Sequence, residues 1–516
     1  MIVTHGAVPP AVASDHPVDP EFTGLPLRAL ADAALSAARA AGAEHADLRV
    51  HRLVTQSLRL RDGKVQSVQD GVETGFAVRV VVDGTWGFAS HAELTPERAA
   101  AVAAEAVEVA RALRTLNRER VVLAPEPAYS NAVWVSDYAT DPFTVATTDK
   151  VALLEDYSRR LLDADGIDHV TANCLQVKEQ TFYADLAGST VTQQRVRLHP
   201  ELEAVSVNAD AGTFETMRTL APPVGRGWEY LTGTGWEWDA ELAAIPGLLA
   251  EKIAAPTVEA GPTDLVIDPT NLWLTIHESI GHATEYDRAI GYEAAYAGTS
   301  FATPDLLGTL RYGTPIMHVT ADRTEPHGLA SVGYDDDAVE AQRWDLVRDG
   351  TLVGYQLDRV FAPRLGLERS NGCSYADSAH HVPIQRMANV SLQPDPVADT
   401  TTADLIARVE DGIYVAGDKS WSIDMQRYNF QFTGQRFFRI RDGRLDGQVR
   451  DVAYQATTTD FWGSMEAVGG SSTWRLGGAF NCGKAQPGQV AAVSHGCPSA
   501  LFRGVNVLNT RTEGGR

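Results

Sequence analysis

Two histidines bracket a short string in the middle of the chain, His277-Glu278-Ser279-Ile280-Gly281-His282. Imidazoles bind metal ions and carboxylates move protons near neutral pH, so these residue types together suggest metal-assisted acid–base chemistry. Histidines at i and i+4 of a helix lie only about 40° apart on its surface, and both rings then reach one ion. Here the spacing is i and i+5, which an ideal helix would splay by about 140°. Two arrangements restore convergence. A π turn, one residue wider than an α turn, narrows the divergence, and Gly281 is a weak point at which the helix can distort. Alternatively an ion sits over the intervening arc, where Glu278 lies at about 100° and Glu285 at about 80° from His277. The same residues also arise by accident on a buried helix, and spacing alone leaves these readings open.

Whatever holds these side chains begins just upstream. Asp268-Pro269 is a helix start, because aspartate accepts free amides and proline sits where no donor is needed. Leu272, Leu274, Ile276 and Ile280 then predict a buried helix. The chain has 516 residues, which at roughly 150 residues per domain suggests about three domains. Residues 1–22, rich in proline, alanine and valine without a period, read as a disordered N-terminal arm. Residues 23–120 form a first α+β domain: a helix over 26–41, strands around Asp62-Gly63 and Asp83-Gly84, and a helix capped by Thr95 with Pro96 at its first position. Asp-Gly suits the two-residue type I′ turn because both positions take positive φ. Residues 121–258 form a second α+β domain with helices over 148–163 and 238–253. Pro256 and Gly261-Pro262 punctuate its end. Residues 259–510 open with the histidine helix and continue mostly as strands, with further hairpin signals at Asp349-Gly350 and Asp442-Gly443, before a tail over 511–516. The expected fold class is α+β: N-terminal α/β-hairpin domains followed by a large C-terminal domain rich in antiparallel sheet, with one metal-binding helix.

The string His277 to His282, followed by Ala283-Thr284-Glu285-Tyr286-Asp287, resembles the TldD/PmbA family of bacterial metallopeptidases, in its TldD branch. The likeness extends to Gly75-Phe76-Ala77-Val78-Arg79 with Gly87-Phe88-Ala89-Ser90, to Arg386-Met387-Ala388-Asn389, and to Asn481-Cys482-Gly483-Lys484 with Gly488-Gln489. It covers nearly the whole chain after the arm. The resemblance implies that His277 and His282 are metal ligands, that Glu278 is the catalytic carboxylate, and that Cys482 completes the metal site from far away in sequence. Two imidazoles and a thiolate leave a fourth zinc position for water, as an open catalytic site needs. A thiolate also favours Zn²⁺, one per subunit, over magnesium or calcium. Glu285 stands equally as a partner of a ligand, a ligand or a solvated residue. The implied function is zinc-dependent hydrolysis of short or unfolded peptides, by a homodimer or a heterodimer with a paralogous TldE/PmbA-like subunit that lacks the histidine motif. The alternatives are a non-catalytic modulator subunit of a heteromeric protease and a metal-dependent small-molecule amidase.

Other signals carry less. Gly478 to Lys484 spells the start of a phosphate-binding loop, but Ala485 lacks the hydroxyl that magnesium needs. Asp335-Asp336-Asp337 reads as a solvated turn, and His495 near Cys497 as part of a structural turn; Cys174 and Cys373 read as packing residues. With 44 Lys+Arg against 67 Asp+Glu, the formal charge is −23, which disfavours nonspecific nucleic-acid binding and anionic lipid. Four cysteines are too few for a disulfide framework and suit a reducing compartment. No run approaches the ~20 apolar residues that cross a bilayer, so the expected location is the cytoplasm.

Overall fold

In the computed structural model, residues 14–208 and 213–513 are described. The first half of the chain is built on strands of 17 to 19 residues, β1 (His45–Arg61), β2 (Lys64–Val82), β5 (His169–Asp185) and β6 (Thr190–Asn208). With β3 (Thr85–His91), β4 (Ala132–Val135) and β7 (Thr213–Arg218), they form one sheet in the order β3-β2-β1-β5-β6-β4, with β7 also on β6. The two Asp-Gly pairs make the β1–β2 and β2–β3 turns, with φ of 51° and 68° at Asp62 and Gly63 and of 50° and 70° at Asp83 and Gly84.

Strands this long exceed what one helix pair covers, so the sheet carries two cores. Helices α2 (Leu27–Ala40) and α3 (Pro96–Leu113) pack over Ala46, Leu48, Val50, Phe182 and Ala184. Helices α4 (Thr147–Leu162) and α5 (Trp238–Ala254) pack over Leu58, Leu60, Val170, Ala172 and Cys174 of the same strands. The expected boundary at 120 therefore separates helices and not sheets: β1 pairs antiparallel with β5 across it. The expected arm is also shorter than 22 residues. Residues 1–13 lie outside the described residues, but from Ser14 the chain lies on the sheet: Val18 and, within α1 (Pro20–Thr23), Phe22 are buried, and Lys178 pairs with Asp19 at 2.8 Å. Of the expected tail, residues 511–513 continue a helical turn, Thr510–Glu513, and 514–516 lie outside the described residues.

The C-terminal half closes on itself. Strands Asp411–Ile423, β8 (Gly261–Ile267), Ala500–Asn509, Val452–Thr457 and Asn429–Arg441 pair in that order, and the last pairs again with the first. All these pairings are antiparallel except β8 with Asp411–Ile423, which is parallel. The turns Asp349-Gly350 and Asp442-Gly443 have the positive φ expected of them. The two halves meet through buried charge. Arg49 bonds Asp336, and Arg79 bridges Asp47 at 3.0 Å and Asp337 at 2.5 Å. The Asp335–337 stretch is thus no solvated turn: Asp335 and Asp337 are buried, because arginines of the first sheet and neighbouring backbone amides supply their partners. Among the described residues, no helix is long and apolar enough to cross a membrane.

Two carboxyls, Glu325 and Asp358, are pushed up to about 7, and Glu325 is the less buried of the two. Burial and the neighbouring Asp322 push Glu325 up to about 7. The folded chain then holds a proton that the unfolded chain releases near pH 4.5, so stability falls as pH rises through that window and stays lowered above it. We expect Glu325→Gln to raise Tm by a few degrees at pH 8 and by progressively less towards pH 5, measured by calorimetry; a gain independent of pH would contradict the assignment.

Candidate metal centre

Helix α6 (Pro269–Ile276) begins as its sequence requires, with the Asp268 side chain accepting from Thr270 N at 3.0 Å and Pro269 in the first turn. Leu272, Leu274, Ile276 and Ile280 are buried. Asn271 ties the helix to the closed sheet by donating to the carbonyls of Gly417 and Thr433. Beyond Ile276 the helix widens into a π turn, His277–Gly281, closed by His282 N donating to His277 O at 3.0 Å. Of the two arrangements open to an i, i+5 pair, the chain adopts the first: the two imidazole centroids are 4.7 Å apart.

A π turn leaves carbonyls unmatched along the helix, and a buried carbonyl without a donor costs about 1–3 kcal/mol. Side chains from distant segments supply the donors. Tyr312 Oη donates to Ser279 O, and Gln356 Nε2 donates to Gly281 O at 2.7 Å. Gly281 has a role beyond helix weakness. A Cβ there would lie 2.6 Å from Met387 Sδ and 3.5 Å from His495 Cε1, so its missing side chain makes room for the Arg386–Asn389 segment.

Cys482 arrives on strand Arg475–Lys484, paired with Gln489–Cys497. Gly477 is needed for packing: its Cβ would fall 2.2 Å from Trp273 Cγ. Between Ala479 and Cys482 the register slips, three residues on this strand opposing two on its partner. That bulge turns Cys482 onto the face of Ala479, where strict alternation would have put it opposite. Cys482 Sγ then lies 3.6 Å from His282 Nε2 across 200 residues of chain. His277, His282 and Cys482, all buried, offer ligand atoms within 4.8 Å of one another. Tetrahedral zinc with Zn–N of about 2.0–2.1 Å and Zn–S of about 2.3 Å separates a nitrogen and a sulfur by roughly 3.6 Å, so this donor set suits that ion.

Hydrogen bonds also settle which imidazole nitrogens are free. His282 Nδ1 lies 2.8 Å from Glu285 Oε2, and a carboxylate only accepts, so Nδ1 carries the proton and Nε2 keeps its lone pair. His495 Nδ1 lies 2.8 Å from Val390 O and must donate there. Its Nε2, 2.7 Å from His277 Nδ1, is left to accept, so His277 Nδ1 is protonated and its Nε2 is free. Burial holds both histidines below their ordinary pKa, and burial with the neighbouring His277 holds His495 well below. Burial opposes ionisation of the Cys482 thiol, but His282 and Arg386 outweigh it and lower its pKa. Burial likewise opposes charge on Glu285, yet Lys484, His282 and Arg288 hold its carboxyl well below the usual range. Lys484, itself buried, donates to Glu285 at 3.1 Å, Asp287 at 2.8 Å and Gln385 O at 2.7 Å.

These ligand candidates border a cavity of about 390 Å³ that Glu278, Arg427 and Phe480 also line. All four residues expected at the site therefore meet at one place. Glu285 resolves as the hydrogen-bond partner of His282. His495 is a correction: it lies on a strand beside His277 and not in an independent structural turn. Its proximity in sequence to Cys497 drew attention to the wrong neighbour, since Cys497 is buried against Pro269 O at 3.7 Å. Arg427, which donates to Glu278 Oε2 at 2.7 Å, had no sequence signal, being 149 residues away.

Known proteins offer an independent comparison. The sequence model described as the PmbA/TldA metallopeptidase C-terminal domain matches residues 260–509, and that of domain 1 of PmbA/TldA metallopeptidases matches residues 46–110. A protein of Methanothermobacter thermautotrophicus named a metalloprotease is 29% identical over 468 residues, 90% of this chain and 96% of its own. A zinc metalloprotease TldD homolog of Saccharolobus solfataricus is 21% identical over 479 residues, 90% of this chain and 97% of its own. The crystal structure of TldE from Thermococcus kodakarensis superposes with a TM-score of 0.70 at 13% identity, over 92% of this chain and 98% of that one, a likeness of fold.

Removing the groups that orient the imidazoles is expected to weaken metal binding without abolishing folding. For Glu285→Gln and His495→Phe, competition with a chromophoric chelator should show zinc affinity lower by about 10–100-fold. Unchanged affinity in both would show that the second hydrogen bond of each ring is dispensable.

Proposed function

The chain belongs to the PmbA/TldD family of metallopeptidases, and from that premise we propose that it is a zinc-dependent peptidase acting on short or unfolded peptides. The observation that carries this reading is the convergence of two free imidazole nitrogens and a thiol sulfur beside a carboxylate at the wall of one cavity. His277 and His282 through Nε2, and Cys482 through Sγ, would hold the ion. Bound there, zinc would supply a water acidified towards ~7 and an electrophile for a carbonyl. Glu278 takes the proton of the attacking water and passes it to the leaving amine. Glu285 and His495 keep the rings aimed, and the burial of all three ligands limits competition from bulk water.

The substrate side has support in the strand that carries Cys482. One edge of Arg475–Lys484 pairs with Gln489–Cys497, and among the described residues no strand pairs with the other edge. Residues 476–483 line the cavity. An extended peptide added at that edge would be held through its backbone, giving loose sequence preference. All four cysteines are free and buried, in keeping with a reducing compartment such as the cytoplasm. The fold shared with TldE supports assembly with a TldE-like chain or a second copy. A non-catalytic subunit would have no use for His277, Glu278, His282 and Cys482 held together, which favours the catalytic reading.

The test is bound metal and peptide cleavage measured side by side. His277→Ala and Cys482→Ala should lose both, whereas Glu278→Ala should keep metal and lose turnover by about 10²-fold or more. Full activity in metal-free protein would end the reading, and a product profile richer in small-amide hydrolysis than peptide cleavage would move it to an amidase. A protein inactive alone is to be assayed with its paralogous subunit.

A further inference from the structure

Glu278 does not face the cavity alone. Arg427 Nη1 donates to Glu278 Oε2 at 2.7 Å, and both side chains line the same space as His277, His282 and Cys482. Neutralising a buried carboxylate would account for such a pair, but not for how firmly the backbone presents this arginine. Arg427 sits at the tip of the hairpin joining Asp411–Ile423 to Asn429–Arg441, with φ of 63°. Left-handed backbone is unfavourable for a long side chain and persists only where surrounding contacts impose it, a pattern concentrated at functional sites.

Here the contacts come from three directions. Asp424 Oδ1 accepts from the amides of Gln426 and Tyr428, and Asp424 O accepts from Arg427 N at 3.1 Å. The Thr458 hydroxyl donates to Arg427 O at 2.8 Å. From the opposite side, Thr299 N donates to Met425 O at 2.7 Å and Phe301 N to Gln426 O at 2.9 Å. The guanidinium so held is not fully used. Nη1 goes to Glu278 and Nη2 to Ala297 O at 3.3 Å, while the buried Nε has no protein partner. A planar cation with a donor to spare thus lines the cavity beside the proposed base, and a held donor of that kind stabilises negative charge that develops in a transition state.

Building on the metallopeptidase reading, we propose that Arg427 is a catalytic residue that donates to the scissile carbonyl oxygen as it becomes an oxyanion. When the oxygen of water bonds to the carbonyl carbon, one water proton passes to Glu278 and the carbonyl π pair moves onto the oxygen facing Arg427. When that pair returns, the carbon–nitrogen bond breaks and the proton on Glu278 goes to the leaving amine. The two roles are coupled through the ion pair. Protonation cancels the charge on Glu278 and weakens its hold on Nη1 at the moment the oxyanion forms, so the guanidinium can shift its bonding from one anion to the other.

The test uses the metal-loaded protein and an internally quenched peptide, with Arg427→Gly and Arg427→Lys beside Glu278→Gln. Glycine suits the left-handed position, so the hairpin tip should keep its shape. For Arg427→Gly we expect metal content and Tm to hold, KM to change little and kcat to fall by about 10²–10³-fold. Inhibition by a phosphinic peptide, which mimics the tetrahedral carbon, should weaken in parallel. Millimolar methylguanidinium should restore part of kcat in Arg427→Gly, which a merely structural arginine would not allow, and Arg427→Lys should recover part by charge alone. Parental kcat in Arg427→Gly, or a loss confined to KM, while Glu278→Gln is inactive, would overturn the role of Arg427 and leave the peptidase reading standing. Activity that survives in both Glu278→Gln and metal-free protein would instead remove the reading on which the role rests.

Discussion

Two inserted residues, one in a helix and one in a strand, set the geometry on which the rest of the site depends. Without the π turn at His277–Gly281, the two histidines would diverge by about 140° around an α-helix. Without the bulge between Ala479 and Cys482, the thiol would point away from them. Each irregularity is unfavourable in isolation, since it breaks a ladder of backbone hydrogen bonds. Each is therefore held by side chains that have little to do but hold it: Tyr312 and Gln356 on the helix carbonyls, Arg386 on the carbonyls of Cys482 and Gln489. The chemistry is short-range, but the residues that enforce it come from most of the C-terminal half.

Charge is arranged by the same logic. Lys484, Arg288 and His282 all converge on Glu285, so one buried carboxylate receives three donors and stays ionised. Its ionisation keeps the proton of His282 on Nδ1 and its lone pair on Nε2. His277 reaches the same end without a carboxylate, through His495 and the carbonyl of Val390. An imidazole is a weaker acceptor than a carboxylate, so the two ligand rings differ in how strongly they are polarised even though both are aimed alike. Arg427 and Glu278 form a third pairing, on the cavity side, where the guanidinium bonds Oε2 of the carboxylate.

What the sequence made legible was local. Asp268 with Pro269, Thr95 with Pro96, and the four Asp-Gly turns are read correctly because a cap or a two-residue hairpin needs only neighbouring residues. The i, i+5 spacing disclosed that something unusual must happen at His277, and Gly281 marked where, though for packing against Met387 more than for flexibility. The single sheet shared by the first two blocks was not legible, because the β1–β5 pairing joins strands more than a hundred residues apart, and nothing in either strand names its partner. The burial of Asp337 was missed for the same reason: its cation, Arg79, sits on the other side of the molecule's main junction, while Asp335 is held by the amides of Asp337, Val339 and Ser374. At the site, Cys482 entered through family resemblance. His495 and Arg427 escaped because each acts on a residue far away in the chain, 218 and 149 positions respectively.

The proposed centre is one ion held by two imidazoles and one thiolate that those two irregularities bring together. Zinc-edge X-ray absorption on the metal-loaded protein tests it directly. The expected shell has one sulfur at about 2.3 Å, two imidazole nitrogens at about 2.0–2.1 Å and one further light atom completing a tetrahedron. A shell without sulfur, or with only one imidazole, would contradict it.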